Sequence, residues 1–571
     1  MSKVLRDTGI WRYLAGVEEK LMNPAFCTCL RVLIPSMVAV IVSIRLAGAS
    51  PGREQFGGVT NGVTTGESRF ENVRIDSIVV DNRNVFDTRD PRYNRFPYKT
   101  ADKFHFVTRK AVIARELLFA VGDPFRRDLA EETARNLRTR LVLYDAWVET
   151  STLPDSRLLV RVVTIDQWSL ILSGSLAREG NRTDIRFGLQ ERNLLGSNQL
   201  LSWEYFIPEK ERNYINIAYG NPRFWGKPVS VNGAYNSDPK NDYKQVSVGH
   251  PYYDLRQALS WSAAWQGTSA RIDDSVRNRK RYSTSDQVEV GLGGRLGTYH
   301  DKIILEGSYT YRTSKTRTVA FTHPDSVIAP PIDSTYHLLM GFTGIQRIYY
   351  VGLKRINGFN YTEDFSTGLD ATIGIGRAFS RDWNDYLFDQ VAVNIASVWC
   401  VGKEVFMFSY QRLAWFPIDG PVMQSADMSL RFYQTSLTYA TFAFHIKYQS
   451  EERDLTIYLG GDSGIRGYDE HYRGGDRLFL TNTEVRVFPG IEILSVRFGG
   501  ALFVDAGRTY QPGAKFSLKD LVVSAGAGLR ISFERTARSE LARIDLAHTR
   551  VPRDGRLKSV WQLSIGHGQY F

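Results

Sequence analysis

The segment GGDSGIRGYDE, residues 460–470, holds the residue types in this sequence that most readily suggest chemistry. The four residues GDSG, 461–464, match the surroundings of a serine protease nucleophile, which would be Ser463. Alternatively, Arg466 is the functional residue, and the glycines beside it allow a backbone that brings its guanidinium to a distant partner. These two interpretations predict different partners elsewhere in the chain.

The protease interpretation lacks the partners that it requires. A serine nucleophile needs a histidine and an acid placed to activate it. The nearest of the nine histidines is His471, which lies beside Tyr472 in a segment typical of a loop. No GxSxG, HExxH or phosphate-binding loop occurs elsewhere. A four-residue match is expected by chance in a chain with 48 glycines, and we therefore predict no catalytic residue and no enzyme.

Composition favours a large β protein. The 571 residues are 43% hydrophobic and 12% aromatic, which with the many glycines is typical of short strands joined by turns. The formal net charge is +11, but Lys and Arg are scattered, which favours a solvated surface or a polar lumen over a nucleic-acid partner. The three cysteines, Cys27, Cys29 and Cys400, form no CxxC pair. We therefore predict no metal site and no cofactor.

The first 49 residues have the features of a secretory signal peptide. Arg31 precedes an apolar run over residues 32–44, and Ala47-Gly48-Ala49 has the small residues that signal peptidase requires. A membrane anchor is the alternative, but the run is shorter than the ~20 apolar residues of a spanning helix. We expect cleavage after Ala49, with residues 1–21 an upstream extension, so that translation from either Met1 or Met22 stays open. A linker follows over residues 50–69.

Residues 70–168 predict a small α/β domain. A β-branched strand over 73–80 is followed by a helix that begins near Thr108 and ends at Gly122. A second helix over 124–141 places leucines on one face, and two strands then close the domain. The order is strand, helix, helix, strand, strand. The long segment between residues 81 and 104 has no function that the sequence indicates.

Residues 169–571 predict a mainly β fold, a transmembrane antiparallel β-barrel of about 16 strands. Segments of roughly ten residues alternate polar and apolar positions, with turn residues between them. In FLTNTEVRVF, 479–488, Glu484 and Arg486 share one face and Val485 the other. Asp505 likewise lies opposite Val504. A two-sheet sandwich would also alternate, but with its polar face outward.

The last strand carries a terminal signal. Trp561, Leu563, Ile565 and Phe571 have the same parity, and the final residue is aromatic, as in many bacterial outer-membrane barrels. The shared parity predicts that these four side chains lie on one face of the last strand.

Several motifs occur in the order found in one protein family. GIRGY, comprising Gly464, Ile465, Arg466, Gly467 and Tyr468, is followed by TEVRVFPG (483–490), FVDAG (503–507) and GAGLRISF (526–533). NLLGSNQ, 193–199, stands near the start of the barrel. This set resembles the C-terminal half of the BamA–TamA superfamily of outer-membrane assembly and translocation proteins. Residues 70–168 resemble a POTRA domain, although the family usually has a short turn in place of 81–104.

The resemblance implies a position for the arginine. In the family, this loop folds back into the barrel and its arginine contacts acid on the inner wall. By parity Asp505 and Glu484 face the lumen, so Arg466 is expected to pair with Asp505, with Glu484 as the second candidate. The alternative is an ordinary extracellular loop with a solvated arginine.

The resemblance also implies a function. The protein would insert other barrels into the bacterial outer membrane or pass polypeptides across it, with its N-terminal domain in the periplasm. Its partners would be the lipid bilayer, unfolded outer-membrane or secreted clients and periplasmic accessory proteins, with no nucleic acid. A dedicated two-partner secretion exporter and a simple outer-membrane porin remain as alternatives.

Overall fold

The computed structural model describes residues 70–571, apart from short gaps. The gaps are 87, 89, 156, 180–181, 210, 275–278, 321–326, 453–454, 462–463, 512, 515–516, 538–540 and 554–555. The predicted signal peptide and linker therefore lie outside the described residues. None of the helices in the described part of the chain has the length and apolarity that a membrane-crossing helix requires.

The N-terminal domain has a three-stranded sheet with helices packed against it. Its elements in chain order are β1 Ile75–Arg83, α1 Tyr98–Phe104, α2 Lys110–Ala114, α3 Arg127–Arg140, β2 Leu143–Thr152 and β3 Leu158–Asp166. The sheet order is β1-β3-β2, in which β1 runs parallel to β3 and β2 antiparallel to it. The predicted order of elements is present, with α1 added by the long segment and with α2 shorter than predicted.

The core of this domain follows from the apolar periodicity of its elements. Helix α3 buries Ala130, Ala134 and Leu137, which lie on one face at spacings of four and three residues. These side chains pack against Ala146 of β2 and Val160 of β3, both fully buried. The sheet and α3 thus form one compact core.

The rest of the chain is antiparallel β structure. Its strands are β4 Leu170–Glu179, β5 Arg182–Glu191, β6 Leu200–Pro208, β7 Tyr214–Asn221, β8 Ser230–Asp238, β9 Asn241–His250, β10 Leu259–Asp274, β11 Arg279–Gly297, β12 Asp301–Ala320, β13 Val327–Leu353, β14 Glu363–Ser380, β15 Tyr386–Val401, β16 Glu404–Pro417, β17 Met423–Gln434, β18 Ala440–Glu451, β19 Ile457–Leu459, β20 Arg473–Gly475, β21 Arg477–Ile493, β22 Val496–Tyr510, β23 Val522–Ser532, β24 Leu541–Arg553 and β25 Arg556–His567.

Twenty of these strands form one barrel-shaped sheet, and only β19 and β20 lie outside it. The count exceeds the predicted value of about sixteen, because an alternating pattern does not by itself mark where one strand ends and the next begins. Each strand pairs with its neighbour in chain order, and β18 pairs with β21. Strands β4 and β25 are adjacent in the strand order. Among the described residues, registers are defined for β4 with β5 and for β25 with β24, and β4 and β25 complete the strand order. We call this junction the seam.

The two faces of the sheet differ as the alternation predicts. Leu502 and Val504 are 60% and 49% exposed on the outside, whereas Asp505 and Glu484 are fully buried inside. Val523 and Leu529 are also exposed on the outside. Apolar side chains therefore cover the outer surface, and charged groups are concentrated in the lumen.

Candidate functional site

The chain between β18 and β21 enters the barrel. Strands β19 and β20 pair as a short hairpin, and the segment between them carries Ile465 and Tyr468 into the interior. These two side chains pack with Leu459, Leu478 and Leu480. The loop is thus anchored by an apolar cluster against β21.

Two glycines make this close approach possible. Gly464 and Gly467 have φ values of 114° and 81°, a region that side-chain-bearing residues rarely adopt. A Cβ atom at Gly467 would lie 2.7 Å from the Cβ of Ala547 on β24. A Cβ atom at Gly464 would lie 2.5 Å from Leu480. Neither position has room for a larger residue.

Arg466 contacts both carboxylates that the sequence predicts. It is 1% exposed, and its Nε and Nη2 each donate to Asp505 at 2.8 Å, one to each carboxylate oxygen. Its Nη1 donates to Glu484 at 2.5 Å. The backbone N–H of Arg466 also donates to Asp505, at 3.2 Å. A planar guanidinium can satisfy two carboxylates in this way, whereas an ammonium cannot.

Two aromatic rings enclose the guanidinium. The Cζ atom of Arg466 lies 3.5 Å from the ring centre of Phe503 and 4.0 Å from that of Tyr570. Cation–π attraction adds to the ion pairs in such a desolvated position. The rings also exclude water, so the arginine is held by both charge and packing.

The ion pairs extend beyond the three predicted residues. Asp545 on β24 lies 3.6 Å from Arg466 Nη1 and accepts a 2.6 Å bond from Arg530. Arg530 reaches Glu484 at 3.3 Å, and Arg486 reaches the other Glu484 oxygen at 2.9 Å. Glu484 and Asp545 therefore each have more than one cationic partner, whereas Asp505 is paired with Arg466 and accepts a further hydrogen bond from Asn482 at 2.9 Å. Such satisfaction offsets the desolvation that makes buried charges unfavourable.

The end of the chain differs from the prediction. Strand β25 ends at His567, and Gly568 turns the backbone with a φ of 71°. Phe571 then stacks on the ring of His445 at 5.4 Å, and its backbone oxygen accepts a 2.9 Å bond from Arg486. Phe571 therefore does not share a face with Trp561, Leu563 and Ile565, because its parity was counted through residues that lie beyond the end of the strand.

Three members of the predicted terminal signal lie where the alternation places them. Trp561, Leu563 and Ile565 are 65%, 62% and 73% exposed on the outside of β25. The tail instead joins the interior network, since the Tyr570 hydroxyl donates to the carbonyl oxygen of Gly461 at 2.9 Å.

The N-terminal domain contacts the turns at one end of the barrel. Arg138 of α3 makes two bonds of 2.8 and 2.7 Å to Asp364 of β14, with both side chains less than 10% exposed. Glu116 forms a similar bidentate pair with Arg223, at 2.6 and 2.7 Å. Glu132 accepts from the N–H of Leu255 at 2.8 Å. These buried pairs fix the domain against the barrel.

Sequence reasoning did not find Asp545 and Tyr570. Asp545 alternates with the exposed Leu546, so parity within LARIDLAHTR, 541–550, could have placed it in the lumen. Tyr570 had no such signal, because its position depends on the turn at Gly568. Ser463, the nucleophile of the protease interpretation, lies outside the described residues. No group of three or more His, Cys, Asp or Glu side chains suited to a metal ion occurs in the part of the chain that is described.

Comparison with known proteins gives matches among solved structures alone, since no family model and no curated protein matches the sequence. The chain is similar to CdiB from Acinetobacter baumannii, with 13% identity, 87% of this chain and 73% of that chain covered and a TM-score of 0.42. It is similar to CdiB from Escherichia coli, with 12% identity, 87% and 76% covered and a TM-score of 0.43. It is also similar to BamA from Haemophilus ducreyi lacking POTRA domains 1–3, with 12% identity, 86% and 84% covered and a TM-score of 0.35.

Proposed function

We propose that this chain is an outer-membrane barrel that inserts other proteins into the bacterial outer membrane or moves polypeptides across it. Residues 70–168 act as a POTRA domain in the periplasm. The observation that carries the proposal is the loop buried in the lumen, with Arg466 bound to Asp505 and Glu484. The protein works by conformational change and strand pairing and breaks no covalent bond.

The buried loop links the parts of the barrel that such a function would move. Arg466 lies against β21 through Glu484 and against β22 through Asp505. Tyr570, in the tail after β25, stacks on the same guanidinium. A displacement of β25 at the seam would therefore alter the contacts that hold the loop. This coupling supports a barrel that opens in response to a client.

The N-terminal domain offers an edge for client binding. Strand β2 is one edge of its sheet, and no strand pairs with its outer side among the described residues. Arg138 donates a hydrogen bond to the carbonyl oxygen of Ala146, so the part of the β2 edge that is available for pairing is residues 147–152. An extended polypeptide can add to such an edge through backbone hydrogen bonds. Periplasmic accessory proteins could use the same edge.

One alternative is a dedicated exporter of a single secreted partner. The lumen keeps a cavity of about 970 Å³ on the side away from the loop. Its lining includes Tyr336, Phe388 and Trp415 together with several serines. That space supports passage of an unfolded chain through the lumen. A simple porin is less well supported, because a pore needs neither the docked domain nor the buried loop.

Depletion in the source bacterium tests the proposal. Quantitative proteomics of the outer membrane and the culture medium would follow removal of the protein, with wild-type and Arg466→Ala copies reintroduced. A fall in several outer-membrane barrels supports insertion, whereas loss of one secreted protein supports the exporter. If the outer-membrane and secreted proteins are unchanged and only solute permeability is altered, the protein is a porin and the proposal is overturned.

A further inference from the structure

The long segment between β1 and α2, residues 84–109, lies beside the start of the barrel. The backbone oxygen of Phe106 accepts a bond of 3.4 Å from Asn193, in the turn between β5 and β6. The N–H of Arg109 donates to the oxygen of Gly196 in the same turn, at 2.9 Å. The ring of His105 stacks on Trp168, which lies two residues before β4. These contacts fix the segment against the first strands of the barrel, beside the seam.

This region exposes large apolar side chains that the domain core does not use. Phe96, Phe104 and Phe106 of the segment are 80%, 76% and 57% exposed. The two adjoining barrel turns add Leu195 and Trp225, at 53% and 86%. We call these residues, with Val107, the apolar rim. Such a concentration of exposed aromatic side chains marks an interaction surface rather than ordinary surface composition.

The apolar rim continues the outer surface of the barrel. Leu189 of β5 and Leu201 of β6 are exposed on that surface and flank the turn that holds Leu195. Phe106 is hydrogen-bonded to the same turn through Asn193. If the outside of the strands faces lipid, the apolar rim stands at the level where the acyl chains meet the headgroups, a level that aromatic side chains favour.

Cations accompany the aromatic residues. Residues 81–110 contain eight Lys and Arg but only four Asp. Two of the arginines pair locally with aspartates, Arg83 with Asp81 and Arg92 with Asp90. The exposed cations that lie next to the apolar residues are Arg95, Lys99, Lys103, Arg109 and Lys110. Aromatic side chains mixed with lysine and arginine are the composition by which peripheral segments bind anionic lipid.

We propose that the apolar rim inserts into the periplasmic leaflet of the membrane and that the neighbouring cations bind anionic phospholipid headgroups. This inference rests on the proposed function, because it requires the barrel to span the membrane. Its occupant is the lipid surface itself. The long segment would then hold the N-terminal domain against the bilayer beside the seam, where a client strand enters the lipid.

Spin labels on the full-length protein in vesicles test this inference. Phe104→Cys and Phe106→Cys would each be labelled with a nitroxide in a chain without Cys27, Cys29 and Cys400. Collisions with oxygen report lipid, and collisions with a water-soluble nickel chelate report solvent. We expect both labels to collide with oxygen several times more often than a Thr152→Cys label, which lies at the far end of β2.

Lipid composition tests the role of the cations. The vesicles would be phosphatidylcholine alone or a mixture with phosphatidylglycerol. We expect deeper insertion of the Phe104→Cys label in the anionic vesicles. Replacing the cations, by Lys99→Glu with Lys103→Glu, should remove that difference and leave the result in phosphatidylcholine unchanged. Equal depth in the two vesicles with the unaltered cations would overturn the headgroup part of the inference.

A label at Val504→Cys, on the outside of β22, separates this inference from the proposed function. Oxygen contact at Val504→Cys with solvent contact at both rim positions would overturn the inference alone. Solvent contact at Val504→Cys would overturn the membrane location and both proposals together. Rim labels that become protected only when an unfolded outer-membrane protein is added would make the apolar rim a client-binding surface, which also overturns lipid binding.

Discussion

Arg466 combines three properties that only arginine has together. Its fork meets both oxygens of Asp505, its third nitrogen reaches Glu484, and its flat face stacks on Phe503. Removing one partner from a buried ion pair costs ~3–5 kcal/mol, because the charge that remains is desolvated. The same side chain would add little to stability in a solvated loop. Its effect on function therefore depends on its burial.

We expect Arg466→Ala to release the loop and reduce client insertion or secretion while the barrel stays folded, since strand pairing does not depend on this side chain. Arg466→Lys should restore only part of the activity, because an ammonium lacks the planar fork. The measurement is a double-mutant cycle on activity with Asp505→Ala, supported by protease sensitivity of the loop. Additive losses would show that the two residues do not interact.

Gly467 allows a second test with a matched control. We expect Gly467→Ala to expel the loop, because the new Cβ would lie 2.7 Å from Ala547 and Thr549. Gly490 has a similar φ, 79°, but open space around it, so Gly490→Ala reports the backbone strain alone. That strain is worth ~1–2 kcal/mol at either position. Equal protease sensitivity of the two variants in the 460–472 segment would mean that contact with β24 does not hold the loop.

At the scale of elements, the junction of α2 with β3 depends on one buried carboxyl group. Asp166, the last residue of β3, accepts the backbone N–H of Thr108 just before α2, at 2.6 Å. Asn82 of β1 donates to the oxygen of the same threonine at 2.6 Å. Burial raises the pKa of Asp166 to about 7 against these hydrogen bonds. The folded domain therefore retains a proton that the unfolded chain releases near pH 4.

This pKa predicts a pH dependence of stability. The stabilisation from the bound proton is fully present below pH ~4 and is lost as the pH rises toward 7, by at most ~1.4 kcal/mol per unit. We expect native-state hydrogen exchange of β3, corrected for intrinsic rates, to show weaker protection at pH 7 than at pH 5. Asp166→Asn should remove this slope, whereas Asp155→Asn, on an exposed turn, should keep it. A slope that persists in Asp166→Asn would assign it to another group.

At the scale of the whole molecule, the domain and the barrel behave as one unit because charged groups are buried between them. Arg138 donates two hydrogen bonds to Asp364, and both side chains are almost inaccessible to solvent. Arg135 stacks on Tyr350 with its Cζ 3.5 Å from the ring centre. A client bound on β2 would therefore be presented at a constant position relative to the seam.

Charge exchange tests the docking. We expect Arg138→Glu to free the N-terminal domain, so that limited proteolysis releases it faster while the barrel keeps its heat-modifiable migration on gels. Adding Asp364→Arg should restore part of the resistance, since the pair is re-formed with opposite polarity. Arg157→Glu, which alters exposed pairs with Asp76 and Asp155, is the control. Release at the wild-type rate in Arg138→Glu would show that this pair does not hold the domain.

Local pattern by itself determined the faces of the strands and the inward position of Glu484 and Asp505. The period of two along a strand places Glu484 and Asp505 in the lumen without knowledge of the fold. The resemblance to the family then predicted that Arg466 contacts these carboxylates. Parity within β24 also predicts the inward position of Asp545, because alternation along one strand requires no long-range contact.

The tertiary structure decided the features that depend on chain reversal and on distant contacts. Phe571 turns inward because Gly568 ends the strand, and parity cannot be counted across a turn. The seam depends on the adjacency of β4 and β25, which lie at opposite ends of the barrel sequence. The docked domain depends on Arg138 meeting Asp364, which are 226 residues apart. No local periodicity encodes such contacts, since they arise only when separate elements pack together.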